Sequence, residues 1–190
     1  MRTAHMLAGI AAAGLVTASL VMGAPASAAT VKGTGGNDHL RGTPHSDTIR
    51  GQEGNDRVYA FAGADLIFGG KGSDHVDAGR GDDTIRGGNG LDSLNGGRGG
   101  DVIFGGKTED FLSDGPGTDT IYGGLDGDYI YLTKDGTADT VTCGAGSDVV
   151  WNATSVNTVA DDCESVNVGP PACRSLSQRV LRPLLEAARC

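Results

Sequence analysis

The sequence predicts an all-β solenoid in which short parallel strands wind through 18-residue coils. Three observations carry that expectation. Asp38, Asp47, Asp56, Asp65, Asp74, Asp83, Asp92, Asp101, Asp110, Asp119 and Asp128 stand nine residues apart without a gap. Two residues after each comes Leu40, Ile49, Val58, Ile67, Val76, Ile85, Leu94, Ile103, Leu112, Ile121 and Ile130, a series with no polar member. Gly concentrates in the four residues that begin five before each Asp, as in Gly69-Gly70-Lys71-Gly72-Ser73-Asp74. An internal period of this length marks a stacked repeat.

In chain order, residues 1–28 come first. They open with Arg2 and His5, run through an apolar stretch from Met6 to Met22, and end at Ala26-Ser27-Ala28. A basic start, an apolar middle and a small-x-small end make a signal peptide, so the protein is expected to be secreted and extracellular. Gly9, Gly14, Gly23 and Pro25 interrupt a run barely long enough to span a bilayer.

Residues 29–142 hold the repeat. Gly in a helix interior costs about 1 kcal/mol each, and the Asp-x-apolar-x run alternates with period two, so each unit reads as a very short strand plus a tight turn. Successive units then lie on opposite sides of the path, and two make one coil with a strand on each of two facing sheets. Eleven units give five and a half coils. One inward row is Ile49, Ile67, Ile85, Ile103 and Ile121; the other is Leu40, Val58, Val76, Leu94, Leu112 and Ile130. Two large apolar side chains per coil make a thin core, and stacked carboxylates along each edge repel one another, so a cation is needed in the turns.

The composition points the same way. Of 190 residues, 33 are Gly, 38% are apolar and 5% aromatic, which allows at most one domain and too little bulk for a thick-cored enzyme. A net charge of −9 has the wrong sign for nucleic acid or an anionic membrane surface. Among cations, calcium takes six to eight oxygens from carboxylates and carbonyls, zinc prefers His and Cys, and magnesium keeps its waters. Calcium fits Gly-rich turns ending in Asp.

The units resemble the RTX (repeats-in-toxin, haemolysin-type) nonapeptide Gly-Gly-x-Gly-x-Asp-x-apolar-x. The resemblance runs from 33 to 131, with weaker units at 134–142 and 143–151. It implies a right-handed parallel β-roll with several calcium ions between its turns, and it assigns the eleven Asp residues named above as carboxylate ligands. Some units depart from the pattern. Gly42-Thr43-Pro44-His45-Ser46-Asp47 lacks the second and third Gly, Ala60-Phe61-Ala62-Gly63-Ala64-Asp65 lacks the leading pair, and Thr108 and Asp126 replace the third Gly. Sites involving Asp47, Asp65 and Asp110 are weakened accordingly, while Asp126 offers an extra oxygen.

Residues 143–168 are expected to cap the open end of the solenoid. Four cysteines allow three connectivities, and proximity favours Cys143 with Cys163 and Cys173 with Cys190, giving a disulfide-stapled cap. Residues 169–190 form a short basic tail with Arg174, Arg179, Arg182 and Arg189 and apolar residues at helical spacing, interrupted by Pro183.

No HExxH, GxSxG or P-loop pattern occurs, and the expectation is a protein that is not an enzyme. The leading reading is a secreted calcium-binding protein that folds when calcium fills its turns. The alternative is an extracellular adhesion or carbohydrate-binding module with a glycan or protein partner. Its surface would be the outward row Arg50, Phe68, Arg86, Phe104 and Tyr122, for which mutual stacking is the simpler account.

Overall fold

The computed structural model describes residues 27–168. Nearly all of the expected signal peptide, the basic tail and the expected Cys173–Cys190 pairing fall outside that range. Among the described residues every regular element is a strand: β1 (Thr30–Lys32), β2 (His39–Arg41), β3 (Thr48–Glu53), β4 (Arg57–Tyr59), β5 (Leu66–Lys71), β6 (His75–Arg80), β7 (Thr84–Asn89) and β8 (Ser93–Arg98). The winding continues with β9 (Val102–Lys107), β10 (Phe111–Ser113), β11 (Thr120–Leu125), β12 (Tyr129–Tyr131), β13 (Thr140–Ala145), β14 (Val149–Ala153), β15 (Thr158–Val159) and β16 (Ser165–Val168). The odd strands form one eight-stranded parallel sheet in chain order and the even strands form the other. This is a parallel β-solenoid of about eight turns.

Register confirms the coil length. Ile49 pairs with Ile67, Ile67 with Ile85 and Ile85 with Ile103 in one sheet, and Val58 pairs with Val76 and Val76 with Leu94 in the other. Both inward rows are buried, and Ala60, Ala78 and Leu132 fill further inward positions between them. β-branched side chains suit this setting because their restricted χ1 fits a pleated surface packed against its neighbours.

The strands are longer than a very short strand and a separate turn. In six-residue strands such as β5 and β7 the Gly pair itself joins the ladder, Gly70 opposite Gly88 and Gly88 opposite Gly106. Gly88 has φ 119° and its missing Cβ would strike the carbonyl of Gly70, so only Gly lets successive coils approach this closely. At two places where the third Gly is replaced the backbone stays at positive φ: Thr108 and Asp126 hold φ of 73° and 68°. The stack imposes the left-handed geometry on residues that do not favour it.

Beyond residue 131 the spacing changes. Thr120 pairs with Thr140 and Tyr129 with Val149, an offset of twenty, because the turn from Leu132 to Asp139 carries two extra residues. The segment 143–168, expected as a cap, carries both sheets onward through β13, β14, β15 and β16. Cys143 and Cys163 form a disulfide across this end, with Cα atoms 5.2 Å apart.

Candidate calcium-binding turns

Each Asp precedes a strand, where the chain leaves a Gly-rich turn and its side chain folds back under the turn. All eleven predicted Asp residues are buried, none more than 4% exposed. They form two ladders, one along each edge of the roll. In each ladder the Oδ1 of one Asp accepts the backbone N–H of the Asp one coil earlier. Asp56 Oδ1 takes the Asp38 N–H at 2.8 Å, Asp74 takes Asp56 at 2.8 Å, and Asp92 takes Asp74 at 2.8 Å. On the other edge Asp83 takes Asp65 at 2.7 Å, Asp101 takes Asp83 at 2.8 Å, and Asp119 takes Asp101 at 2.7 Å. Glu164 ends the first ladder by accepting the Asp148 N–H at 2.7 Å.

The second oxygen is a different matter. The Oδ2 atoms of Asp56, Asp65, Asp74, Asp83, Asp92, Asp101, Asp110, Asp119, Asp128 and Asp148 are buried and have no hydrogen-bond partner. Buried polar atoms are nearly always paired, and an unpaired charged oxygen is the costliest exception. These oxygens face other oxygens. A Cβ on Gly105 would sit 2.7 Å from Asp110 Oδ2 and 2.5 Å from the Gly123 carbonyl oxygen, and one on Gly123 would sit 2.5 Å from both Asp128 Oδ2 and the Cys143 carbonyl oxygen. Carboxylate and carbonyl oxygens therefore converge on the Gly-lined face of each turn with no donor between them.

Burial pushes these carboxyls up: Asp65, Asp74 and Asp101 to about 6, Asp83, Asp92, Asp119 and Asp128 to about 7, and Asp110 to about 8. Neighbouring carboxylates add to this, and the backbone N–H that each accepts opposes it. A hard divalent cation reverses the balance by supplying the charge that desolvation removed. The donor set, made only of carboxylate and carbonyl oxygens, fits calcium. The ten unpaired Oδ2 atoms and the facing carbonyls are the groups that would hold it.

Asp38 and Asp47, at the N-terminal end, differ from the rest. Asp38 Oδ2 accepts the Thr34 N–H at 2.6 Å and the Thr34 hydroxyl at 3.0 Å. Asp47 Oδ2 accepts the Thr43 N–H and, at 3.1 Å, the Thr43 hydroxyl. Threonine in place of the second Gly thus satisfies these two carboxylates within their own turns. Asp65 and Asp110, whose units lack consensus Gly, keep the same free Oδ2 as their neighbours. Asp126 is exposed, and its charge helps to raise the buried carboxyl of Asp128.

Three buried carboxylates were not among the predicted ligands. Asp139 and Asp148 extend the ladders, accepting the N–H groups of Asp119 and Asp128 at 3.1 and 2.7 Å. They belong to the weaker units at 134–142 and 143–151, beyond the unbroken period of nine. Asp114 lies off the period altogether, at an inward position that Ala60 and Ala78 occupy in earlier coils. The proline-containing turn Asp114-Gly115-Pro116-Gly117 was its one visible signal.

A parallel solenoid whose turns bury unpaired carboxylate oxygens belongs to the class of cation-stabilised repeat proteins. Comparison with known families identifies the repeat: the RTX calcium-binding nonapeptide repeat matches in four copies, at residues 28–58, 41–76, 68–103 and 95–130. The chain belongs to this family, whose β-roll is a structural calcium-binding fold. A comparison with curated proteins finds no match.

Proposed function

We propose that this is a secreted calcium-binding protein whose roll forms when calcium fills its turns after export. The observation that carries this reading is the set of ten buried Oδ2 atoms without partners. Leaving a buried polar group unpaired costs about 1–3 kcal/mol each, more when charged. The ionised, metal-free roll therefore has no means of balancing its own edges. Extracellular calcium modules bind at about 10⁻⁴ to 10⁻³ M, which keeps such a chain unfolded in a calcium-poor cytoplasm. Circular dichroism of residues 29–190 during a calcium titration tests this. Strand signal should rise cooperatively with a midpoint in that range and vanish in excess chelator; an unchanged strand spectrum at neutral pH in chelator overturns the reading. Finding the chain in the cell pellet, with residues 1–28 uncleaved, overturns the secretion part.

A second reading, an extracellular adhesion or carbohydrate-binding module, draws support from a surface other than the one the sequence suggested. The Arg/aromatic row is occupied by mutual stacking, with Arg50 4.6 Å over Phe68, Arg86 4.9 Å over Phe104, and Phe104 stacked on Tyr122 at 4.8 Å. On the other sheet, exposed Phe111 and Tyr129 stack at 5.1 Å, and exposed Tyr131 pairs in register with exposed Trp151. Ser93, Asn95 and Ser113 border the groove between these rings. Polysaccharide retention that is lost in a Tyr131→Ala, Trp151→Ala variant would favour this reading, and equal elution of variant and parent would dismiss it.

A further inference from the structure

We propose that Asp114, Asp119 and Asp139 together hold one hard divalent cation where the lengthened turn joins the stack, in a site that Asp114 sets apart from the other turns by adding a third carboxylate. The proposal rests on the calcium reading and adds to one repeat turn a ligand, Asp114, that lies outside the Asp series of the nonapeptide.

All three residues are buried, and one carboxylate oxygen of each lies within 4.8 Å of the others. Asp119 makes the cluster more than a set of neighbouring acids. Its Oδ1 takes the Asp101 N–H, and its Oδ2 is buried with no partner. In adjoining turns the Asp Oδ2 lies against the missing Cβ of the glycine five residues earlier, as Asp101 Oδ2 does at Gly96 and Asp110 Oδ2 at Gly105, 2.5 and 2.7 Å away. At residue 114 that place carries a real side chain ending in a second carboxylate. The free oxygen of Asp119 is therefore aimed at Asp114.

The surroundings hold Asp114 in place without neutralising it. Its Oδ1 accepts the Gly115 N–H and, at 2.8 Å, the Thr133 N–H from the lengthened turn. Asp139, at the far end of that turn, accepts the Asp119 N–H at 3.1 Å through Oδ1 and the Asn157 side-chain amide through Oδ2. No basic side chain joins them, since the one ion pair among the described residues is Lys71–Glu53 on the surface. Three carboxylates supplied only with neutral donors leave uncompensated negative charge in a buried space. A cation there would tie the turn at 114–119 to the turn at 132–139 across the change of spacing. Affinity for calcium rises with the number of charged ligands, so this site fills before the repeat turns.

Calorimetry and ion counting on residues 29–190 with calcium chloride test the assignment, comparing the parent with Asp114→Ala and Asp114→Asn. Ala is the residue at the equivalent positions 60 and 78, and Asn keeps an acceptor for the Thr133 N–H. The expected result is loss of the tightest binding phase in each variant, with the remaining phases shifted less than about twofold and the strand signal retained at saturating calcium. A parent and variants with the same stoichiometry and the same isotherm overturn the three-carboxylate site while leaving the repeat sites intact. A parent that takes up no calcium overturns the proposed function instead. Should Asp114→Ala lose its strand signal, Asp114→Asn carries the comparison.

Discussion

Asp92→Asn and Asp47→Asn separate a cation ligand from a purely structural acceptor. Asp92 lies in mid-stack, fully buried, with Oδ1 taking the Asp74 N–H and Oδ2 unpaired. Asparagine keeps the first interaction and replaces the free oxygen with a donor facing oxygens it cannot ligate through an ion. Loss of one charge-assisted contact costs about 1.5–3 kcal/mol, and a buried group left poorly satisfied adds about 1–3 kcal/mol. The sum, about 2.5–6 kcal/mol in calcium, is a large part of the 5–15 kcal/mol typical of a whole domain. At about 2–8 °C per kcal/mol, the melting temperature falls by at least about 5 °C and the calcium midpoint rises. Asp47→Asn behaves otherwise, because Thr43 already satisfies Oδ2 through its N–H and its hydroxyl. Its cost is a weakened hydrogen bond, about 1 kcal/mol, with no ion lost. Ion counting and thermal unfolding at saturating calcium distinguish the two. If Asp92→Asn keeps the parent's ion count and melting temperature, or if both variants lose the same number of ions, the assignment of the free Oδ2 atoms as ligands is wrong.

Three further outcomes follow from the same structure. The metal-free roll holds more protons than the unfolded chain from about pH 4, the ordinary carboxyl range, up to about 7–8. Acid therefore favours the chelated roll and rising pH opposes it, whereas calcium, competing with those protons, binds less tightly as pH falls through about 7 and 6. Calcium titrations at both ends of that range should show opposite trends in residual order and in affinity; a pH-independent midpoint contradicts this. Ile85→Ala removes a fully buried side chain from the middle of one inward row and should cost about 2–5 kcal/mol, read from denaturant unfolding in calcium. Reducing Cys143–Cys163 opens a loop with sequence separation 20 and should cost about 3 kcal/mol in calcium without changing the ion count, provided the strands remain paired.

Nine-residue phasing of Asp and aliphatic residues was enough to specify the coil, the two facing sheets, the inward rows and the stacking of acids along each edge, because in a solenoid each unit packs mainly against its neighbours and local pattern becomes global architecture. The Cys143–Cys163 bridge was legible from proximity for a related reason, since a short separation spans one coil. Other features depend on which atoms meet across coils. Thr34 and Thr43 silence the first two carboxylates, a role visible only once their hydroxyls and N–H groups are placed against Asp38 and Asp47. The split of each carboxylate into one satisfied and one free oxygen arises from contacts eighteen residues apart. Asp114 reads as an ordinary turn residue until the two-residue insertion after Leu132 lays a longer turn over it. Sequence periodicity reports which side of a strand a residue takes, but pairing of buried polar atoms is settled by three-dimensional register, and that register shifts where the repeat is interrupted.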